Sequence, residues 1–124
     1  MTVTLVLLAA LAAAPAPEPA PFPVERFRVE VSERTRAGGT VAAVLVATRS
    51  RWTTRWVLRC TADGDASTTG EYRGVDLAEQ GWIEGTVKDV DAIGKFTLAL
   101  GSPLWMASLP GCPRSGIPVI RKLP

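Results

Sequence analysis

The chain contains no histidine, only two cysteines and a single tyrosine. Without histidine there is no Ser-His-Asp or Cys-His relay and no imidazole metal ligand. Two cysteines are too few for a four-thiolate zinc or iron–sulfur site. Neither a GxxxxGK[ST] phosphate loop nor a GxGxxG fingerprint occurs. Charge is also nearly absent in sum, with 14 Lys+Arg against 12 Asp+Glu for a net +2 over 124 residues. No cofactor and no catalytic apparatus are implied. The carboxylate pairs Asp63/Asp65 and Asp89/Asp91 lie two residues apart in polar segments, where solvated carboxylates are the ordinary outcome, and we expect a non-enzyme.

What is there begins with an address. Residues 3–14 read VTLVLLAALAAA, an uncharged apolar run of 12. Spanning a bilayer takes roughly 20 apolar residues, so the run fits the core of a secretory signal. Ala10-Leu11-Ala12 supplies the small–x–small pattern read by signal peptidase, and Pro15 disfavours a later cut. We therefore expect a signal peptide over 1–12, cleavage near Ala12, and export to a periplasmic or extracellular space. A basic segment ahead of the run is missing. No cysteine follows it, so no lipid anchor is expected. Residues 13–23 are rich in proline and alanine and read as an extended tether.

The remaining residues, 24–124, are expected to form one β domain. In an oxidising compartment Cys60 and Cys112 are expected to be bridged. That bridge closes a loop of about 53 residues, worth roughly 4 kcal/mol in the chain-entropy estimate.

The apolar pattern has a period of two almost throughout, the mark of strands. Phe27, Val29 and Val31 alternate with Arg26, Arg28 and Glu30. A turn follows at Gly38-Gly39. Residues 40–48 are apolar on both faces and predict a central strand covered twice. Thr54, Trp56, Leu58 and Cys60 then alternate with Arg55, Val57, Arg59 and Thr61. Residues 71–80 are the one segment read as a short helix, with Tyr72, Val75 and Leu77 as its apolar side. Ile83, Gly85 and Val87 predict another strand, and Phe96, Leu98 and Leu100 complete a hairpin. After Pro103 the pattern breaks down into an irregular tail pinned by Cys112.

Three strands, a helix and two strands is the order of an oligonucleotide/oligosaccharide-binding barrel, the OB-fold. The stretch WVLRCTAD followed by YRGVDLAEQGWIEGTVKDVDAIGKFTLALG resembles the second half of small bacterial OB-type domains over about 60 residues. The likeness rests on Gly81, Gly85, Val87, Phe96 and Leu98. It implies a small five-stranded barrel and carries no ligand motif with it. The alternative is a non-immunoglobulin β-sandwich. The immunoglobulin markers fail, because Tyr72 stands where a core Trp belongs and Pro110 stands two before Cys112.

Charge is segregated along the chain. From Glu25 to Arg59 there are eight Arg and three Glu, whereas from Cys60 to Asp91 there are two basic and eight acidic residues. The ordinary outcome is pairing of basic with acidic strands on the exterior. The sharper reading concerns Arg49, Arg51, Arg55 and Arg59 with Trp52. Guanidinium forks and indole faces suit phosphates, sulfates or stacked bases. Trp56 shares its face with Leu58 and Cys60 and is expected in the core. An exported chain meets anionic glycans, lipid headgroups or proteins more naturally than nucleic acid, so those are the expected partners.

Two further motifs have a chemical reading. Asp63, Asp65, Ser67 and Glu71 resemble a calcium loop but place Thr68 and Gly74 where Gly and a carboxylate are required, so a solvated turn is expected and no metal site. The segment from Leu109 to Ser115 sets Arg114-Ser115 beside two prolines and a half-cystine. A rigid, exposed loop of that kind would serve a serine-protease inhibitor, the alternative function.

Overall fold

The structure is a computed structural model and describes residues 24–63, 65–88 and 93–124. The expected signal (1–12), the tether (13–23) and Asp89/Asp91 lie outside those residues. Among the described residues there are nine strands: β1 (Glu25–Arg34), β2 (Thr40–Arg49), β3 (Thr53–Ala62), β4 (Asp65–Leu77), β5 (Trp82–Lys88), β6 (Ile93–Ala99), β7 (Leu104–Ala107), β8 (Ser115–Gly116) and β9 (Val119–Leu123). They form two antiparallel sheets, one ordered β4-β3-β2-β1-β9 and the other β5-β6-β7-β8. Neither sheet closes on itself, so the chain is all-β with two open layers. No helix occurs among the described residues, hence none long and apolar enough to cross a membrane.

Alternation dictates which side chains meet between the layers. Phe27, Val29 and Val31 of β1, Ala43, Leu45 and Ala47 of β2, and Trp56, Leu58 and Cys60 of β3 point inward and are buried. From the smaller sheet come Ile83, Val87, Phe96, Leu98 and Trp105. An aromatic chain crosses the interior. Trp56 meets Phe96 edge-on at 4.9 Å between centroids, and Phe96 stacks on Trp105 at 5.1 Å. Both geometries are favoured by the ring quadrupoles. Cys60 of β3 is bonded to Cys112 in the loop before β8, with Cα atoms 5.0 Å apart.

Polar contacts secure the margins of the two layers. Asp76 Oδ2 in β4 accepts from Trp56 Nε1 at 2.9 Å and from the backbone N–H of Thr86 in β5 at 3.0 Å. Tyr72 donates its hydroxyl to the Pro110 carbonyl at 2.8 Å, and Trp105 Nε1 donates to the Pro113 carbonyl at 2.9 Å. Among the described residues one buried polar side-chain atom, Thr54 Oγ1, has no hydrogen-bond partner.

Three expectations are corrected. Of the segment read as a helix over 71–80, residues 71–77 are the end of β4. Its true pattern has period two: Glu71, Arg73, Val75 and Leu77 are exposed, while Tyr72, Gly74 and Asp76 face inward and are half-buried. Gly74 is what the strand requires, since a Cβ there would lie 2.5 Å from the Trp56 ring. The tail is not irregular. Its prolines fall between short strands, and β9 pairs with β1 as an edge of the larger sheet. Finally, β2 is the central strand of five but is not covered twice, because its outer residues Val44, Val46 and Thr48 are only half-buried.

Candidate anion-binding face

The register of the larger sheet defines its outer surface row by row. Arg26 of β1 lies beside Leu123 and Thr48, and Thr48 lies beside Arg55, which lies beside Val75. The next row runs Arg121, Arg28, Val46, Val57 and Arg73. The third runs Val119, Glu30, Val44, Arg59 and Glu71. Residues directly opposite in a ladder share a face. One surface therefore carries Arg26, Arg28, Arg55, Arg59, Arg73 and Arg121 around the valines of β2, β3 and β4. Among the described residues of these rows, only Glu30 and Glu71 oppose them.

Both carboxylates are already engaged. Arg28 Nε donates to Glu30 Oε1 at 3.2 Å. Glu71 accepts from Arg59 Nε at 2.8 Å and from Arg73 at 2.6 and 2.9 Å. These bonds, Arg73 first and then Arg59, hold the Glu71 carboxyl below its ordinary range. Arg26, Arg55 and Arg121 form no ion pair among the described residues. Between Arg55 and Arg73, over Val57 and Val75, the surface dips into a depression of about 290 Å³. The arrangement offers cationic forks beside a shallow apolar floor, suited to an anion that also carries hydrocarbon surface.

The residues singled out in the sequence are not all gathered here. Arg55 and Arg59 are on this face. Arg51 and Trp52 sit in the turn between β2 and β3, where Trp52 is 69% exposed and the Arg51 guanidinium lies 4.7 Å from its ring centroid. That contact is a cation–π pair on the rim of the sheet. Arg49 ends β2 opposite Glu25 and the buried Thr54, so its alternation sets it on the other side from Arg55. Trp56 is 1% exposed and belongs to the core. Arg26, Arg28, Arg73 and Arg121 were missed as members of one surface. Each is visible as an outward residue of its strand, but only the pairing of β1 with β9 and of β3 with β4 brings them together.

Two other motifs acquire structural roles. Asp63 Oδ1 accepts from the Thr40 backbone N–H at 2.7 Å and so ties the end of β3 to the start of β2. No cluster of three potential metal ligands occurs among the described residues. At Arg114-Ser115 both flanks of the peptide bond are occupied. The Arg114 carbonyl accepts from Ala107 N–H at 2.9 Å, and Ser115 N–H donates to Glu33 Oε2 at 3.0 Å. An inhibitory loop must leave those groups to the protease, so this segment is poorly prepared for that task. No family model matches the chain, and neither a curated protein nor a solved structure matches it.

Proposed function

We propose that this chain is an exported, non-catalytic binding protein that holds an extended anionic polymer, in the first place an acidic or sulfated glycan, against the outer face of its larger sheet. The supporting observation is the set of six arginines on that face with only two carboxylates among them. Strands lie about 4.8 Å apart, so from β9 to β4 the face spans roughly 19 Å. A run of charges that wide matches several repeat units of a polymer better than one small molecule. The disulfide is compatible with an oxidising compartment. Recognition of this kind needs no cofactor and no bond-making step. The OB-type resemblance adds no ligand site, so the reading rests on the face and not on the fold name.

The test is binding of a heparin-like glycan, a single-stranded oligonucleotide and acidic lipid vesicles, each at low and high salt. The expected result is glycan binding that falls roughly tenfold or more between about 50 and 200 mM salt, because counterions are released. Replacing Arg55 and Arg59 by Gln is expected to weaken it. Absence of glycan binding at low salt, or binding indifferent to those replacements, overturns the reading. Preference for vesicles or for the oligonucleotide replaces the ligand class.

A further inference from the structure

We infer that a cleft at one end of the molecule, lined by Arg34, Arg36 and Arg114, is a second binding site, for a compact polyanion bearing two or more linked phosphate or sulfate groups. The cleft has a volume of about 660 Å³ and opens where the turn between β1 and β2 meets the loop held by Cys112. Ligand sites for small molecules commonly measure about 300–1,000 Å³.

Two chain segments far apart in sequence, the β1 end with its turn and the loop before β8, bring the arginines together. Arg34 closes β1, Arg36 is in the turn, and Arg114 immediately precedes β8. None of the three forms an ion pair among the described residues. The one carboxylate in the lining is Glu33. Its Oε2 is committed to Ser115, 3.0 Å from the backbone N and 3.5 Å from Oγ. Three like charges around one cavity repel each other, and an anion between them removes that cost. Each guanidinium presents donors in a planar fork that matches phosphate or sulfate oxygens. Three forks offer more donors than a single carboxylate can accept, which favours linked multi-oxygen groups.

Both walls are fixed before any ligand arrives. In the turn, Thr35 N–H donates to the Gly39 carbonyl at 2.9 Å, Gly38 N–H to the Thr35 carbonyl at 3.1 Å, and Gly39 N–H to Thr35 Oγ1 at 3.1 Å. Gly38 holds φ 86°, a conformation that glycine adopts without strain. The opposite wall is anchored by the Cys60–Cys112 bond and by the hydrogen bond from Ala107 to the Arg114 carbonyl. Preorganised walls lower the ordering cost of binding. The cleft is walled on two sides, and its lining includes neither Arg55 nor Arg59, so it suits a compact ligand.

The experiment is calorimetric titration of the full chain with inorganic tripolyphosphate, and separately with orthophosphate, at low salt. We expect one saturable site for tripolyphosphate, at least tenfold tighter than for orthophosphate. Arg114→Gln and Arg36→Gln should each weaken it fivefold or more, while Arg55→Gln changes it less than twofold. Both cleft residues are exposed, so their thermal transitions should match the parent chain, and either variant alone suffices for the test. Absence of saturable binding, or equal weakening by Arg55→Gln and the cleft variants, overturns the inference.

Discussion

Gly85 is the position where one added methyl group should disturb the most. It lies in β5 opposite Phe96 and faces the interior. A Cβ there would sit 2.0 Å from Phe96 Cε1, 2.4 Å from Cζ and 2.7 Å from Trp56 Cε2. The Phe96 ring has no retreat, because it is wedged between the edge-on Trp56 and the stacked Trp105, and both are fully buried. Overpacking of a filled core costs about 1–3 kcal/mol. The stiffer unfolded chain of an alanine variant returns about 0.4–1 kcal/mol. With the clash falling on a trapped ring, the net expectation for Gly85→Ala is a loss of about 2 kcal/mol. For a domain of this size that is a fall in Tm of roughly 10 °C. Gly101→Ala is the reference, since nothing lies within 4 Å of a Cβ at that position. Urea titration followed by tryptophan fluorescence, with thermal melts in parallel, would compare the two. If Gly85→Ala proves as stable as Gly101→Ala, the aromatic wedge is not the tight element described above.

Replacing Cys60 and Cys112 together by Ala removes a cross-link of sequence separation 52. The chain-entropy estimate puts the loss near 4 kcal/mol, and a urea midpoint shift worth under about 1 kcal/mol would contradict it. Thr54→Val swaps an unpartnered buried hydroxyl for a methyl of similar shape. It should raise stability by about 1 kcal/mol, and a fall in the urea midpoint would mean the hydroxyl is bonded after all. Glu71, whose carboxyl is held below its ordinary range by Arg73 and Arg59, stays ionised down to its lowered folded value. Its ion pairs contribute above the unfolded value and are lost as pH falls through the folded one. Glycan binding should therefore strengthen as pH drops through that window, and Glu71→Gln should mimic this at neutral pH by about 1.5- to 5-fold. Weaker glycan binding by Glu71→Gln would show that the carboxylate orients the arginines instead of competing for them.

Much of the interior was readable from alternation alone. Phe27, Val29 and Val31, Trp56 and Leu58, Ile83 and Val87, and Phe96 and Leu98 alternate onto single strand faces, and all are buried, while Leu100 beside the last pair is half-buried. The disulfide followed from the expected compartment and the count of two. The helix reading failed because Tyr72, Val75 and Leu77 were grouped by size, although Tyr72 faces inward and the other two face solvent. Gly74 is a flat seat for the Trp56 ring. The tail was misjudged because its prolines mask strands as short as two residues. For the candidate face, Arg55 and Arg59 were visible as outward residues of a single strand. Their companions were not, because Arg26 and Arg121 stand 95 positions apart and become near neighbours only through the β1–β9 ladder.

The Asp76 carboxylate has a practical consequence. A single oxygen receives the indole N–H of Trp56 and a backbone N–H of the opposite sheet. Separation of the layers must therefore break the bond from Thr86 while the indole keeps its acceptor in the same sheet, and it must also take Phe96 from the face of Trp56 and admit water beside the ring. Trp52 and Trp82 are exposed in the folded chain, and Trp105 is bonded within the smaller sheet and the adjoining loop. Trp56 is thus a built-in optical gauge of the gap between the layers. Its emission, isolated by replacing the other three tryptophans, would report loosening of the sheets before either one unravels.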